Sequence, residues 1–364
     1  MLKGQDIMDM AAELVEIQKS KKDLIVPTVQ MRMCRTDGHS PLQLRLEDGQ
    51  LFDINNWPHS QISTYTNIPK QYYDRIKDEK PGLLTLCVNH GFQMVINRHF
   101  AEKKKHDCRM LRTINGNVRA FLSDRYWRLD CYDLLDAVFP ILEDNRFRVI
   151  SSQLTETRMY IKAITDTIQG EWKKGHIVRY GICISCSDVG CGSVSVEPLL
   201  YEVECTNGWI SEQAFRRAHI GKSQAGDNIQ ELLTDETKNV SDKAFWMQVR
   251  DVVKGTMEDR IFQQNLNKLR DAADIKMENL DIPKVVDLTM KEVGITGEKV
   301  KNSIVEHLAS GADGKGMTML GLASSFTWAA HKAEDVDYET STALEKAGPK
   351  IIELSQKDWR KIAA

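Results

Sequence analysis

Four groups of residues in this 364-residue chain carry side chains that chemistry needs. Cys183, Cys186, Cys191 and Cys205 are ligand types for structural zinc, which takes four ligands on tight turns, usually as two close pairs. Here Cys183 and Cys186 fall in a predicted strand, where their odd spacing sends them to opposite faces. Buried strand cysteines are the better reading. Asp166, Glu171 and Lys173 are residue types of a metal-dependent nuclease, whose carboxylates hold a divalent ion that positions a water. Gly170 within that run also fits a plain hairpin turn. Gly311-Ala312-Asp313-Gly314-Lys315-Gly316-Met317-Thr318 precedes a helix as a phosphate loop would. That loop needs lysine directly after its second glycine, and Met317 stands there. No strand is predicted before it, so it reads as a helix-capping loop. The sequence contains no zinc-protease helix, deaminase signature or nucleophile elbow. His219 and His331 read first as packing or helix-end residues.

The fourth group is basic and aromatic. Between Arg98 and Arg128 stand nine basic residues (Arg98, Lys103, Lys104, Lys105, Arg109, Arg112, Arg119, Arg125, Arg128) against Glu102, Asp107 and Asp124. Phe100, Phe121, Tyr126 and Trp127 interleave with them. Basic side chains neutralise phosphates and aromatic faces stack on unpaired bases, so this pattern suits single-stranded nucleic acid. A second basic cluster holds Arg216, Arg217, His219 and Lys222. The balancing acid lies further on, where residues 231–300 carry 14 acidic against 11 basic side chains. A bland solvated face is the competing account of both clusters. The formal net charge of −3 decides nothing by itself.

These groups need elements to hold them. Hydrophobic residues are 41% and charged residues 28%, ordinary globular usage. The length suggests about two domains. No apolar run approaches the ~20 residues of a membrane helix. The start lacks the layout of a signal peptide, so a cytoplasmic protein with reduced thiols is expected. Residues 5–20 have helical period. Leu24–Met33 alternates like one strand. Pro58–Arg75 reads as helix–loop–helix. Leu83–Val88 reads as a strand, paired with Phe92–Ile96 through Asn89-His90-Gly91. Asn115-Gly116-Asn117 between alternating segments predicts a hairpin over 109–122. A helix over 132–142 and strands at 147–154, 158–164, 176–185 and 193–204 follow. From Phe245 to Leu269 helical period continues for more than six turns, with Ser241 as its N-cap. Pro283 and Gly294 bracket a shorter helix, Thr296 caps the next, which ends near Gly311, and Met317–Lys332 is another. The expected class is α+β: an antiparallel sheet with hairpins packed on helices, then a helical C-terminal part. The expected parts are an N-terminal helix (1–23), an α+β core (24–230), a helical part packing on it (231–340) and a tail (341–364).

Several short segments together resemble a known family. They are Ile68-Pro69-x2-Tyr72-Tyr73, Leu83-x4-Val88-Asn89, Arg119–Tyr126, Ser185–Ser193, Cys205-Thr206-Asn207-Gly208, Arg216-Arg217-x-His219, and Gly321-Leu322 with the run to Trp328 and His331. This pattern resembles the phage- and plasmid-type "domain of unknown function 932" family over roughly 60–340. More remotely it is similar to the single-strand annealing proteins that include RecT and Redβ. That likeness implies a sheet with a hairpin and a long helix, a ring or filament of copies, and ATP-independent pairing of strands held in a basic groove. It also implies a bacterial host and a possible partner exonuclease or single-strand-binding protein. The motif positions carried over are Arg119, Ser123, Arg125, Tyr126, Ser187, Asp188, Gly190, Asn207, Gly208, Arg216, Arg217 and His219. The family has glutamate where this chain has Asp188. Asp188-Val189-Gly190 and Asn207-Gly208 equally fit plain turns. The expected phosphate contacts are Arg112, Arg119, Arg125, Arg128, Arg216, Arg217 and Lys222, with Tyr126 and Trp127 stacking on bases. No cofactor or catalytic residue is expected for an annealer. A metal-dependent nuclease and a non-catalytic phage structural or host-interaction protein are the alternatives.

Overall fold

The computed structural model describes residues 1–36, 41–94, 107–211, 215–217, 235–277, 281–311 and 313–362. The class is α+β, as expected, with a helical C-terminal region. The first sheet has six strands: β1 Lys22–Pro27, β2 Met31–Cys34, β3 Gln43–Leu46, β4 Leu51–Ile54, β5 Cys108–Ile114 and β6 Asn117–Ser123. Their order is β1-β5-β6-β4-β3-β2, antiparallel except where β4 meets β6. Leu24–Met33 is therefore two strands, separated by the 3-10 turn Thr28–Gln30. They stand at opposite edges of the sheet. A flat sheet of six strands would be about 24 Å across. The chain from Pro27 to Met31 reaches about 14 Å at most, so the sheet must curl.

The first helix, α1 Ile7–Ser20, packs on the other sheet. Three more line the inner face of the curled one: α2 Asn56–Tyr65, α3 Lys70–Glu79 and α4 Pro81–Gln93. They bring Ile62, Tyr73, Ile76, Leu84, Val88 and Phe92 against Met31, Met33, Leu44 and Phe52. The expected strand at 83–88 and the turn at 89–91 are thus helix α4, while residues 95–96 of the expected partner strand lie outside the described residues. Pro81 occupies a first-turn position that suits helix entry. Leu84, Val88 and Phe92 then repeat every four residues into the core. The Asn89 side chain spans the Met33 backbone, accepting from its N–H at 2.7 Å and donating to its carbonyl at 2.9 Å. That tertiary bond replaces the turn that Asn-His-Gly suggests.

The second sheet is an antiparallel meander of β7 Phe147–Leu154, β8 Met159–Lys173, β9 His176–Cys186, β10 Val194–Glu202 and β11 Asn207–Ile210, with β12 Phe215–Arg217 also paired to β10. One face presents Ile161, Ala163, Ile182, Ile184 and Val196 to α1, to α5 Cys131–Asp144 and to α6 Asp235–Thr256. Further along that face, Val178, Tyr180 and Leu200 pack with Phe262, Leu266 and Leu269 of α7 Asp259–Asp274. The continuous helix expected over 241–269 breaks at Met257-Glu258, and Ser241 lies inside α6. The remaining helices are α8 Ile282–Val293, α9 Glu298–Ser310, α10 Met319–Lys332, α11 Tyr338–Ile352 and α12 Gln356–Ile362. Pro283 and Gly294 bracket α8 as expected, while Gly297 rather than Thr296 precedes α9. The segment expected as a tail holds α11, whose Leu344, Ala347 and Ile351 are core residues.

Candidate functional site

The hairpin of β5 and β6 turns at Asn115-Gly116, both at positive φ (49° and 83°), as the Asn-Gly signal predicts. Arg112 pairs with Ala120 and Thr113 with Val118, so Arg119 is the extra residue of a β-bulge. The outer face of this hairpin is covered. Val189, from the loop joining β9 to β10, packs with Met110, Ala120 and Leu122. Trp57 and Gln61 of α2 donate to the Val189 carbonyl at 2.9 and 2.8 Å. The Gln61 oxygen accepts from Phe121 N–H at 2.7 Å. The loop is thereby clamped between the two sheets.

Beneath it lies a closed ionic network. Arg112 is fully buried. Its Nε and one terminal nitrogen donate to the two Asp23 oxygens, each at 2.9 Å. The other donates to Asp130 at 2.7 Å and to the Asp188 carbonyl at 2.8 Å. Lys21 also pairs with Asp130, and Arg128 approaches Asp23 at 3.4 Å. Burial disfavours charge on Arg112, but Asp23 and Asp130 outweigh it and hold its pKa above the ordinary range. Burial likewise opposes ionisation of Asp23, and Arg112 outweighs that, so its carboxyl sits below the usual range. A fork held by carboxylates on both sides builds the junction.

The structure sorts the sequence candidates accordingly. Arg112 cannot meet phosphate, because its donors are consumed inside the protein. Arg119 is mostly buried, 3.5 Å from the Asp188 carboxylate. Tyr126 donates to the Ser187 carbonyl at 3.2 Å, and burial raises its pKa well above the phenol value. Trp127 stacks at a tilt on Phe245, with ring centroids 5.2 Å apart, and donates to Asp242 at 2.5 Å. These two rings are packing residues, which corrects their assignment as base-stacking platforms. Ser123 and Ser187 serve turns: their hydroxyls accept from Arg125 N–H (3.2 Å) and Cys191 N–H (2.9 Å). Gly190 has φ 76°, and a Cβ there would meet Leu122 at 2.6 Å. Asn207 and Gly208 start β11 and are not the turn itself, which uses Thr206 at φ 55°. Arg125 and Arg128 remain exposed. Arg216 and Arg217 lie on β12, and His219 and Lys222 fall outside the described residues.

No protein-family model matches the chain, and neither a curated protein nor a solved structure matches it. Its own geometry therefore carries the functional reading. In the backbone register Arg217 pairs with Val194 and Arg216 with Ser195, at the end of the loop that clasps Tyr126 and Arg119. The backbone of Arg216 and Arg217 thus runs beside the strand that leaves this loop.

The other motifs do not assemble. Cys183 and Cys186 sit on opposite faces of β9, as their spacing predicts, in separate apolar clusters. Burial pushes the Cys183 thiol up to about 12. Asp166 pairs with Arg179 at 3.1 Å, and Glu171 accepts from Gly175 N–H at the turn. Among the described residues no three His, Cys, Asp or Glu side chains gather as a metal would require. Lys315 is buried beside Glu202 (2.8 Å) and Asp313 (3.2 Å), and Thr318 caps α10. That segment is a helix-capping loop, as its glycine spacing suggests. Sequence reasoning missed two buried charges: Lys162 on β8 and Glu345 on α11, paired at 2.5 Å with Thr342 3.1 Å away. A lone lysine in Tyr160-Ile161-Lys162-Ala163-Ile164 was the available signal. It sits opposite Cys183 on the second sheet, on the face where Lys346 also binds Glu197.

Among the described residues, no helix is long and apolar enough to cross a membrane.

Proposed function

We propose that this chain binds single-stranded DNA and, as a homo-oligomer, anneals complementary strands without ATP, in a phage- or plasmid-type recombination role. The observation that supports it best is the backbone pairing of Arg216 and Arg217 with Ser195 and Val194, at the end of the loop that Tyr126 and Arg119 bind, in a chain whose Arg125 and Arg128 are exposed. Annealing makes no bonds. It needs like-charged strands neutralised and bases left open to pair. The contact set is Arg125, Arg128, Arg216 and Arg217, while Arg112 and Arg119 hold the surface from below. The pairing of Arg128 with Asp23 is no obstacle, since half-exposed ion pairs contribute only about 0–1 kcal/mol.

The test is fluorescence anisotropy with a labelled single-stranded oligonucleotide at two salt concentrations, without ATP or metal, followed by the unlabelled complement. Salt-sensitive binding and duplex formation faster than in protein-free buffer are expected. Absence of binding at low salt would overturn the reading and make a protein-interaction role the better one.

A further inference from the structure

Among the described residues, the loop that carries Val189 covers the outer side of the first sheet over β5 and β6. Over β2, β3 and β4 the outward side chains Arg32, Arg45 and Leu51 are exposed. Met31, Met33, Leu44 and Leu46 point into the core, so Arg32 and Arg45 between them point out, and both are exposed. They are direct cross-strand partners. Directly opposed residues have Cβ atoms about 4.5–5.5 Å apart, and like charges so placed repel. Among the described residues neither arginine has an ion pair or a hydrogen bond. The neighbouring carboxylates bond elsewhere: Asp53 accepts from Gln43 at 2.8 Å, and Asp48 accepts within its own turn from Gln50. Leu51 continues the row from Arg45 and is exposed. The strand carrying Arg32 is held along its backbone by Asn89 at Met33, next in the chain. The backbone at the pair is therefore held in register, and an anion bound between the two side chains would offset their mutual repulsion.

We propose that Arg32 and Arg45 form a phosphate-binding pair on the outer face of the first sheet, engaging the backbone of single-stranded DNA. This rests on the function proposed above and adds a second contact region to it. Two guanidinium forks side by side can share one phosphate or grip two successive ones, and Leu51 offers an apolar patch beside them.

The experiment compares the full chain with R32A/R45A in salt-dependent anisotropy on a labelled oligo(dT), with thermal unfolding of both proteins. Removing two phosphate-binding arginines lowers the salt slope by about 1.4, which is about 25-fold in affinity at 0.1 M salt relative to 1 M. The unfolding temperature of the variant should equal or exceed that of the parent, because a repulsion has been removed. Unchanged affinity and slope in a folded variant, with the parent binding DNA, would overturn this pair alone. If the parent itself fails to bind at low salt, both this pair and the annealing function fall. Inorganic phosphate at matched ionic strength separates a free-anion site. If it raises the unfolding temperature of the parent but not of R32A/R45A, and DNA affinity is the same in both, the ligand is free phosphate and the DNA assignment fails.

Discussion

Arg112 and Arg45 stand on strands of one curled sheet, and their surroundings give them opposite tasks. Over β5 and β6 the outer face lies under the loop that carries Val189, and Arg112 there is enclosed by Asp23, Asp130 and a carbonyl. Over β2 to β4 the outward side chains are exposed, and among the described residues Arg45 faces Arg32 with no acidic partner. One half uses guanidinium to join two sheets. The other holds two cations together in solvent. Residue type alone does not separate a structural arginine from a binding one; what covers it does.

The contrast can be broken most forcefully at Arg112. R112A leaves Asp23 and Asp130 as buried charges without their counterion, which costs about 3–5 kcal/mol. Chemical denaturation should show that loss, and R112K should rescue little, since an ammonium cannot fork. A change below about 1 kcal/mol would mean that the covered half is not held by this network. A similar cost is expected for K162M, which strands Glu345 in the core of the second sheet. The double variant K162M/E345M should recover most of it, as a double-mutant cycle will register.

Next in size is G190A. A left-handed non-glycine residue costs about 1–3 kcal/mol, and the clash with Leu122 adds to that. Denaturant midpoints should place this variant between R112A and the surface variants.

Acid sharpens the picture of the inner face. His59 on α2 bonds the Tyr73 hydroxyl at 2.8 Å, and burial lowers its pKa to about 4. A histidine held neutral stabilises fully above its ordinary value of 6.5 and loses that contribution as pH falls toward 4. This amounts to about 2 kcal/mol between pH 7 and pH 5. His331, lowered to about 3 by burial, has the same sign. Asp133, raised to about 6 by burial and then by Asp130, opposes them, adding stability as pH falls below 6. H59Q should show a shallower pH dependence than the parent in denaturation at pH 7 and 5. Equal dependence would remove His59 from the explanation.

The smallest stability effect belongs to R125A/R128A, expected within about 0.5 kcal/mol because both side chains are exposed. Its effect should appear in DNA affinity instead.

Much of this was legible wherever local chemistry coincided with tertiary need. Asn115-Gly116 makes the hairpin because both residues tolerate positive φ. Pro283 and Gly294 close α8 for similarly local reasons. The failures came where distant residues decide. Asn89 prefers a turn in isolation, yet it clamps Met33 from within a helix. The apolar period through Val253, Met257 and Ile261 hid the break between α6 and α7. Arg112 alternates like a surface residue. The carboxylates that enclose it, Asp23 and Asp130, lie on other elements, so no spacing could reveal them. Arg32 and Arg45 meet only through strand register, which two short alternating runs do not announce.

The most direct test of the distinction between binding and building arginines is the salt dependence of single-strand affinity in the parent and in the variant R32A/R45A/R125A/R128A, with unfolding monitored in parallel. The expected result is a native unfolding transition and a salt slope reduced by about 0.7 for each arginine removed. A folded variant that keeps the full slope would contradict it.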